Sequence, residues 1–189
     1  MIDPWALALE ACELGAQQNP RELAQIIDLI KERQPKTLLE IGCAEGGTLY
    51  VWQQLAISNV YGITLPGGLP DRNNPPAGAS VAPEDVYGAN VHLGDSHAQA
   101  SLEWVVWELG GRPVDVLYID GDHTLAGIVA DWGMYSPLVR PGGLAMVHDI
   151  RHPYPWFPEL RQWWDDLGQG FVIEDDRPDY RVGFGIVEM

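Results

Sequence analysis

Basic residues are scarce in this chain. Eleven Lys and Arg stand against 27 Asp and Glu in 189 residues, a formal charge of −16 with the histidines neutral. A surface of that sign repels phosphate backbones and acidic headgroups, so neither nucleic acid nor an anionic membrane is an expected partner. Cysteine is scarcer still. Cys12 and Cys43 stand far apart and form neither a metal-type pair nor a disulfide framework. Long apolar runs are missing too: no stretch approaches the ~18–20 residues of a spanning helix, and no basic segment precedes an apolar one in Met1–Glu10. A cytoplasmic location is the expectation. What the chain does have is 46% hydrophobic residues, the composition of a globular domain, and a length that fits one domain over residues 1–189.

Hydrophobic periodicity organises it. Leu23, Ile26, Ile27 and Ile30 recur at helical spacing in Pro20–Arg33, with Asn19 as cap and proline in the first turn. With Cys12 in a preceding helical stretch, residues 1–35 form an N-terminal helical segment. Lys36-Thr-Leu-Leu-Glu-Ile-Gly42 then reads as a strand entering glycines, and Thr48–Ile57 as the helix after the turn. The rhythm repeats, with strands at 59–64, 90–94, 114–120 and 143–148 and helices at 96–109, 125–139 and 158–167. Closing strands follow at 171–174 and 181–188. Short apolar strands alternating with helices predict a doubly wound α/β domain, its sheet mostly parallel and covered on both faces.

Two stretches break the rhythm. Residues 66–89, rich in proline and glycine, form a candidate lid or a solvated connector. Arg151–Pro158 is proline-spaced and aromatic and follows the end of a strand, where open α/β sheets bind ligands. Of the eight tryptophans, Trp104, Trp107, Trp132, Trp163 and Trp164 fall in helices and read as sheet-facing core or subunit interface, whereas Trp156 is placed to line a substrate pocket.

The chemistry gathers at strand ends. Glu40-Ile-Gly-Cys-Ala-Glu-Gly-Gly47 turns sharply after the first strand, where glycine lets the backbone approach a ligand and the next helix offers free N–H groups. Gly94-Asp-Ser96 ends the third strand, Ile119-Asp-Gly-Asp-His123 ends the fourth, and Pro141-Gly-Gly143 precedes the fifth. On these motifs, residues 20–188 resemble the class I S-adenosylmethionine-dependent methyltransferases. Val114–His123 and Val147–Ile150 are most similar to the small-molecule O-methyltransferase branch that includes cephalosporin-hydroxylase-like, macrocin and catechol-type enzymes.

The resemblance implies a Rossmann-like sheet of seven strands with an antiparallel C-terminal strand, and it implies roles for residues. Glu40, Gly42, Cys43, Ala44 and Gly46 would surround the methionine part of the cofactor. Asp95, with Ser96 beside it, would hold the adenine, and Asp120 would face the amino-acid end and the reacting centre. Thr64 stands where the family commonly has an acid for the ribose, and an uncharged hydroxyl is the weaker partner. The metal-dependent relatives imply a divalent cation, Mg²⁺ or Mn²⁺, at Asp120, His148 and Asp149; an imidazole among carboxylates shifts preference away from Mg²⁺.

His123 is the first choice for general base, since imidazole titrates near neutrality, and His148 is its competitor. Cys43 reads as a small turn residue in preference to a nucleophile. The expected activity is methyl transfer to a hydroxyl of a small molecule, of sugar or natural-product type, by a possible homodimer. A metal-independent N- or C-methyltransferase and a non-catalytic cofactor-binding partner protein stay open as alternatives.

Overall fold

A computed structural model describes residues 2–66, 88–152, 158–177 and 181–189. Helices α1 (Pro4–Glu13) and α2 (Pro20–Arg33) precede the sheet. Then come β1 (Thr37–Ile41), α3 (Gly47–Gln54), β2 (Asn59–Thr64), β3 (Asn90–Leu93), α4 (Gln99–Leu109), β4 (Val114–Ile119) and α5 (Leu125–Tyr135). A 3-10 turn at Ser136–Leu138 leads to β5 (Val139–Val147), α6 (Pro158–Leu167), β6 (Phe171–Ile173) and β7 (Phe184–Glu188).

The local signals act as their chemistry demands. Asn19 caps α2 by accepting from the Arg21 N–H, and Pro20 opens the helix where no N–H is needed. Asp3 caps α1 in the same way, from the Trp5 N–H. Helix α5 stops four residues short of the expected 139, because Pro137 lies in the 3-10 turn that follows and strand β5 starts at Val139. Strand β7 begins at Phe184, three residues later than expected.

Strand order is β3-β2-β1-β4-β5-β7-β6. The pairs β3–β2, β2–β1, β1–β4 and β4–β5 are parallel, and β7 runs antiparallel to both β5 and β6. The strand order reverses between β1 and β4, which opens a crevice at their carboxyl ends.

Alternation along the strands divides the core. Leu38, Val116, Tyr118, Met146 and Phe184 face α1–α3 through Leu7, Ile26, Ile27, Leu49 and Trp52. Leu39, Ile41, Leu117, Ile119 and Val147 face α4–α6 through Val105, Ile128, Leu160 and Trp164. Trp104, Trp132 and Trp163 pack partly buried against this second face. Trp107 departs from the core expectation: it is 76% exposed, because α4 turns that position away from the sheet.

One buried acid ties the two ends of the chain together. Glu22 of α2 accepts from the backbone N–H groups of Asp175, Val182 and Gly183, at 2.7, 3.1 and 2.9 Å, so the segments flanking β6 and β7 hang on a single carboxylate.

Candidate functional site

The crevice is floored by the turn after β1. Gly42 adopts φ 89°, Ala44 φ 42° and Gly46 φ 86°, a left-handed sequence that brings the chain round within five residues. At Gly42 a Cβ would collide with the backbone carbonyl of Asp120, so glycine is what lets the ends of β1 and β4 meet. Two side chains of this turn point away from the crevice. Glu40 is fully buried, its carboxylate accepting from Thr48 Oγ1 and Trp52 Nε1, both at 2.5 Å. Burial pushes its pKa up to about 8 against those two bonds. Cys43 is buried beside Gly62, its thiol directed at the carbonyls of Glu40 and Ile63. Burial raises the thiol well above its ordinary range, which makes it inert. What the turn offers a ligand is therefore its backbone.

Four side chains converge above the turn. Asp120 Oδ1 lies 3.1 Å from His123 Nε2 and 3.1 Å from His148 Nδ1. Asp149 closes the ring, with Oδ2 3.5 Å from His123 Nδ1 and Oδ1 3.4 Å from His148 Nδ1. Asp149 is held at φ 63°, a left-handed conformation that costs a non-glycine residue free energy and turns its carboxylate back to the ring. Although burial opposes the charge on Asp120, His148 and the hydrogen bonds of both imidazoles hold its pKa well below the carboxylate range. Burial likewise opposes charge on the histidines, but Asp120 and Asp149 raise His148 to about 9, and Asp120 raises His123.

The histidines differ in access. His148 is 2% exposed and packed against Phe184, with ring centroids 4.5 Å apart, so it lies beneath the site. His123 is the half-buried one. Among the described residues, the group able to offer one ligand atom each within 4.8 Å is Asp120, His123 and Asp149. The imidazole of this set is His123, where the sequence pointed to His148; the loop after β4 folds back over the end of β5. Two carboxylates and one imidazole fit a divalent cation of the Mn²⁺ type better than an all-oxygen set would.

The other oxygen of Asp120 has partners that the sequence did not announce. Oδ2 accepts from Tyr118 Oη at 2.9 Å and from Gln18 Nε2 at 2.7 Å. Tyr118 is two residues away on the strand; Gln18 comes from the segment between α1 and α2, which no motif marks.

The remaining candidates stand further out. Asp95 accepts from the His97 N–H at 2.9 Å and keeps 62% of its side chain exposed. The Ser96 carbonyl accepts from Tyr135 Oη at 2.6 Å. Thr64 ends β2, half-buried, and its carbonyl accepts from the Gly94 N–H. Of the candidate lid, residues 67–87 lie outside the described residues, as do residues 153–157, among them Trp156.

The profile of a family described as a methyltransferase domain matches residues 39–150, from β1 through the four-membered ring. The chain belongs to this methyltransferase domain family. Over 138 residues the domain is 28% identical to 8-demethyl-8-alpha-L-rhamnosyl tetracenomycin-C 2'-O-methyltransferase of Streptomyces olivaceus, covering 69% of this chain and 32% of that one. It is 27% identical over 130 residues to an uncharacterised protein, R132, of Acanthamoeba polyphaga mimivirus, covering 68% of this chain and 58% of that one. The chain thus spans 32% and 58% of the lengths of these two relatives.

Solved structures share the fold. The methyltransferase domain superposes on MycE, a mycinamycin-pathway methyltransferase solved with Mg, SAH and mycinamycin VI, with TM-score 0.64 and 19% identity over 97% of this chain and 54% of that one. It superposes on the O-methyltransferase TomG of Streptomyces achromogenes, solved with SAM, with TM-score 0.63 and 16% identity over 98% and 89%.

Proposed function

We propose that this domain transfers the methyl group of S-adenosylmethionine to a hydroxyl of a small molecule. The observation that carries the reading is the Asp120–His123 pair, 3.1 Å apart, beside a glycine turn at the reversal point of the sheet. The glycine cradle and an unpartnered amide oxygen beside Asp120 fit a cofactor with an amino-acid end. When bound, the cofactor supplies an electrophilic methyl on a sulfonium, whose positive charge suits an acid-rich crevice.

His123 Nε2 faces Asp120, and in the neutral tautomer protonated on that nitrogen the ring is the base that takes the acceptor's hydroxyl proton. Asp120 holds the ring in that tautomer, and Asp149 faces the imidazolium that forms. The bound cofactor would supply the methyl carbon to the acceptor oxygen and keep the electron pair of the broken carbon–sulfur bond on sulfur, while His123 and Asp120 hold the proton. Asp95 and Thr64 are read as the adenine and ribose ends of the site, by position only.

A second reading rests on the convergence of Asp120, His123 and Asp149. These residues would hold a divalent cation, which would lower the pKa of the acceptor hydroxyl. The two uses of His123 are exclusive, because a coordinated ring nitrogen has no lone pair for a proton.

Calorimetric titration with S-adenosylhomocysteine, with and without Mg²⁺ or Mn²⁺, tests the cofactor. Micromolar binding without metal is the expected result, and none in either condition overturns the proposal. Turnover in EDTA then separates the dyad from the cation.

The acceptor class, of sugar or natural-product type, follows from likeness to the Streptomyces relative. Among the described residues no helix is long and apolar enough to cross a membrane. We read the enzyme as a cytoplasmic catalytic domain over all 189 residues, with exposed Trp107 and Val106 as the face for a homodimer.

A further inference from the structure

Gln18 lies outside the family match, yet it touches the central carboxylate across 102 positions of sequence. The segment that carries it is fitted against the glycine turn. Gly15 packs on Glu45, and a Cβ on Gly47 would strike Ala11 and Ala16, so the end of α1 and the chain after it rest on the first residues of α3. Chemistry decides which way the amide faces. Asp120 Oδ2 only accepts, so Nε2 must point at it and Oε1 must point away. That Oε1 is buried and has no hydrogen-bond partner among the described residues. A buried amide oxygen without a donor is costly, and it is tolerated where a ligand supplies the donor.

From this we infer that Gln18 Oε1 binds the primary ammonium of the cofactor's amino-acid end, a contact that rests on the proposed methyl-transfer reading. The donor that gains most beside both a neutral carbonyl oxygen and an ionised carboxylate is a cationic N–H. A sulfonium has no hydrogens to donate, and an acceptor hydroxyl must turn its proton toward His123. Gln18 then has two tasks in one planar group: Nε2 fixes the rotamer of Asp120, and Oε1 recognises the amino acid.

The test is a four-way calorimetric comparison of the wild-type chain and Gln18→Met, each titrated with S-adenosylhomocysteine and with 5′-methylthioadenosine, which keeps the thioether nucleoside and lacks the amino acid. The expected result is that Gln18→Met weakens S-adenosylhomocysteine at least tenfold and leaves methylthioadenosine within twofold. Unchanged affinity for S-adenosylhomocysteine, or equal loss for both ligands in a folded variant, overturns the contact and leaves the cofactor reading standing. A wild-type chain that binds neither ligand overturns both. Circular dichroism verifies the fold; should Gln18→Met not fold, Gln18→Asn, which draws the amide back by one methylene, is titrated with the same two ligands, and the same outcomes support or overturn the contact.

Discussion

Trp52 Nε1 donates to Glu40 Oε2 at 2.5 Å, so a helix on one face of the sheet holds the acid that precedes the glycine turn. With Thr48 on the other oxygen, this buried carboxylate has a folded pKa of about 8 against 4.5 for the free group. The folded state therefore binds the Glu40 proton more tightly than the unfolded state does. This group's contribution to stability is fully present below pH ~4.5 and is lost as pH rises toward ~8. Glu40→Gln should match the wild type in Tm near pH 5 and exceed it near pH 9, in thermal unfolding followed by circular dichroism. A constant offset between the two proteins across that window would contradict the assignment.

His123 and His148 both touch Asp120, but only His123 reaches the crevice. His123→Gln should lower kcat by about 10²–10⁴-fold with little change in S-adenosylhomocysteine affinity. His148→Gln should act mainly on stability, because the ring is packed against Phe184. A larger loss of kcat in His148→Gln than in His123→Gln, under saturating cofactor, would exchange their roles.

Binding of a cation at Asp120, His123 and Asp149 requires a neutral imidazole, and although burial opposes its charge, Asp120 raises the His123 pKa. Mn²⁺ should therefore bind with proton release, read as a dependence of the calorimetric enthalpy on the ionisation enthalpy of the buffer. Asp149→Ala should abolish that binding and leave S-adenosylhomocysteine affinity within twofold. Retained Mn²⁺ binding in the variant would remove Asp149 from the set.

Glu22→Leu should destabilise the chain by about 3 kcal/mol, since three backbone N–H groups, two buried and one partly buried, lose their acceptor. For a chain of this size the corresponding fall in Tm is roughly 6–12 °C. A fall under 2 °C would mean that these amides find other acceptors.

Much of this architecture is legible in the order of residues. The alternation that puts Leu38 on one face and Leu39 on the other and the Asn19–Pro20 start of α2 act through neighbours in sequence. Asp120 and His123 are three residues apart, so their meeting needs only a tight loop after β4. Element ends are less readable: Leu138 and Val182 look apolar enough for a helix and a strand, yet Pro137 and the hold of Glu22 on the Val182 N–H give them other geometries.

The acids and the glycine turn announce, from local pattern alone, a doubly wound sheet with its chemistry at the strand ends. Three assignments needed the assembled chain. Helix α3 presents Thr48 and Trp52 to Glu40 and draws that carboxylate out of the crevice. The left-handed turn at Asp149 and the return of the β4 loop bring the Asp149 carboxylate to His123. Gln18 reaches Asp120 only because α1 rests on the start of α3. Direction and burial of a side chain depend on what packs against it, and those neighbours lie 8 to 102 positions away in the cases that matter here.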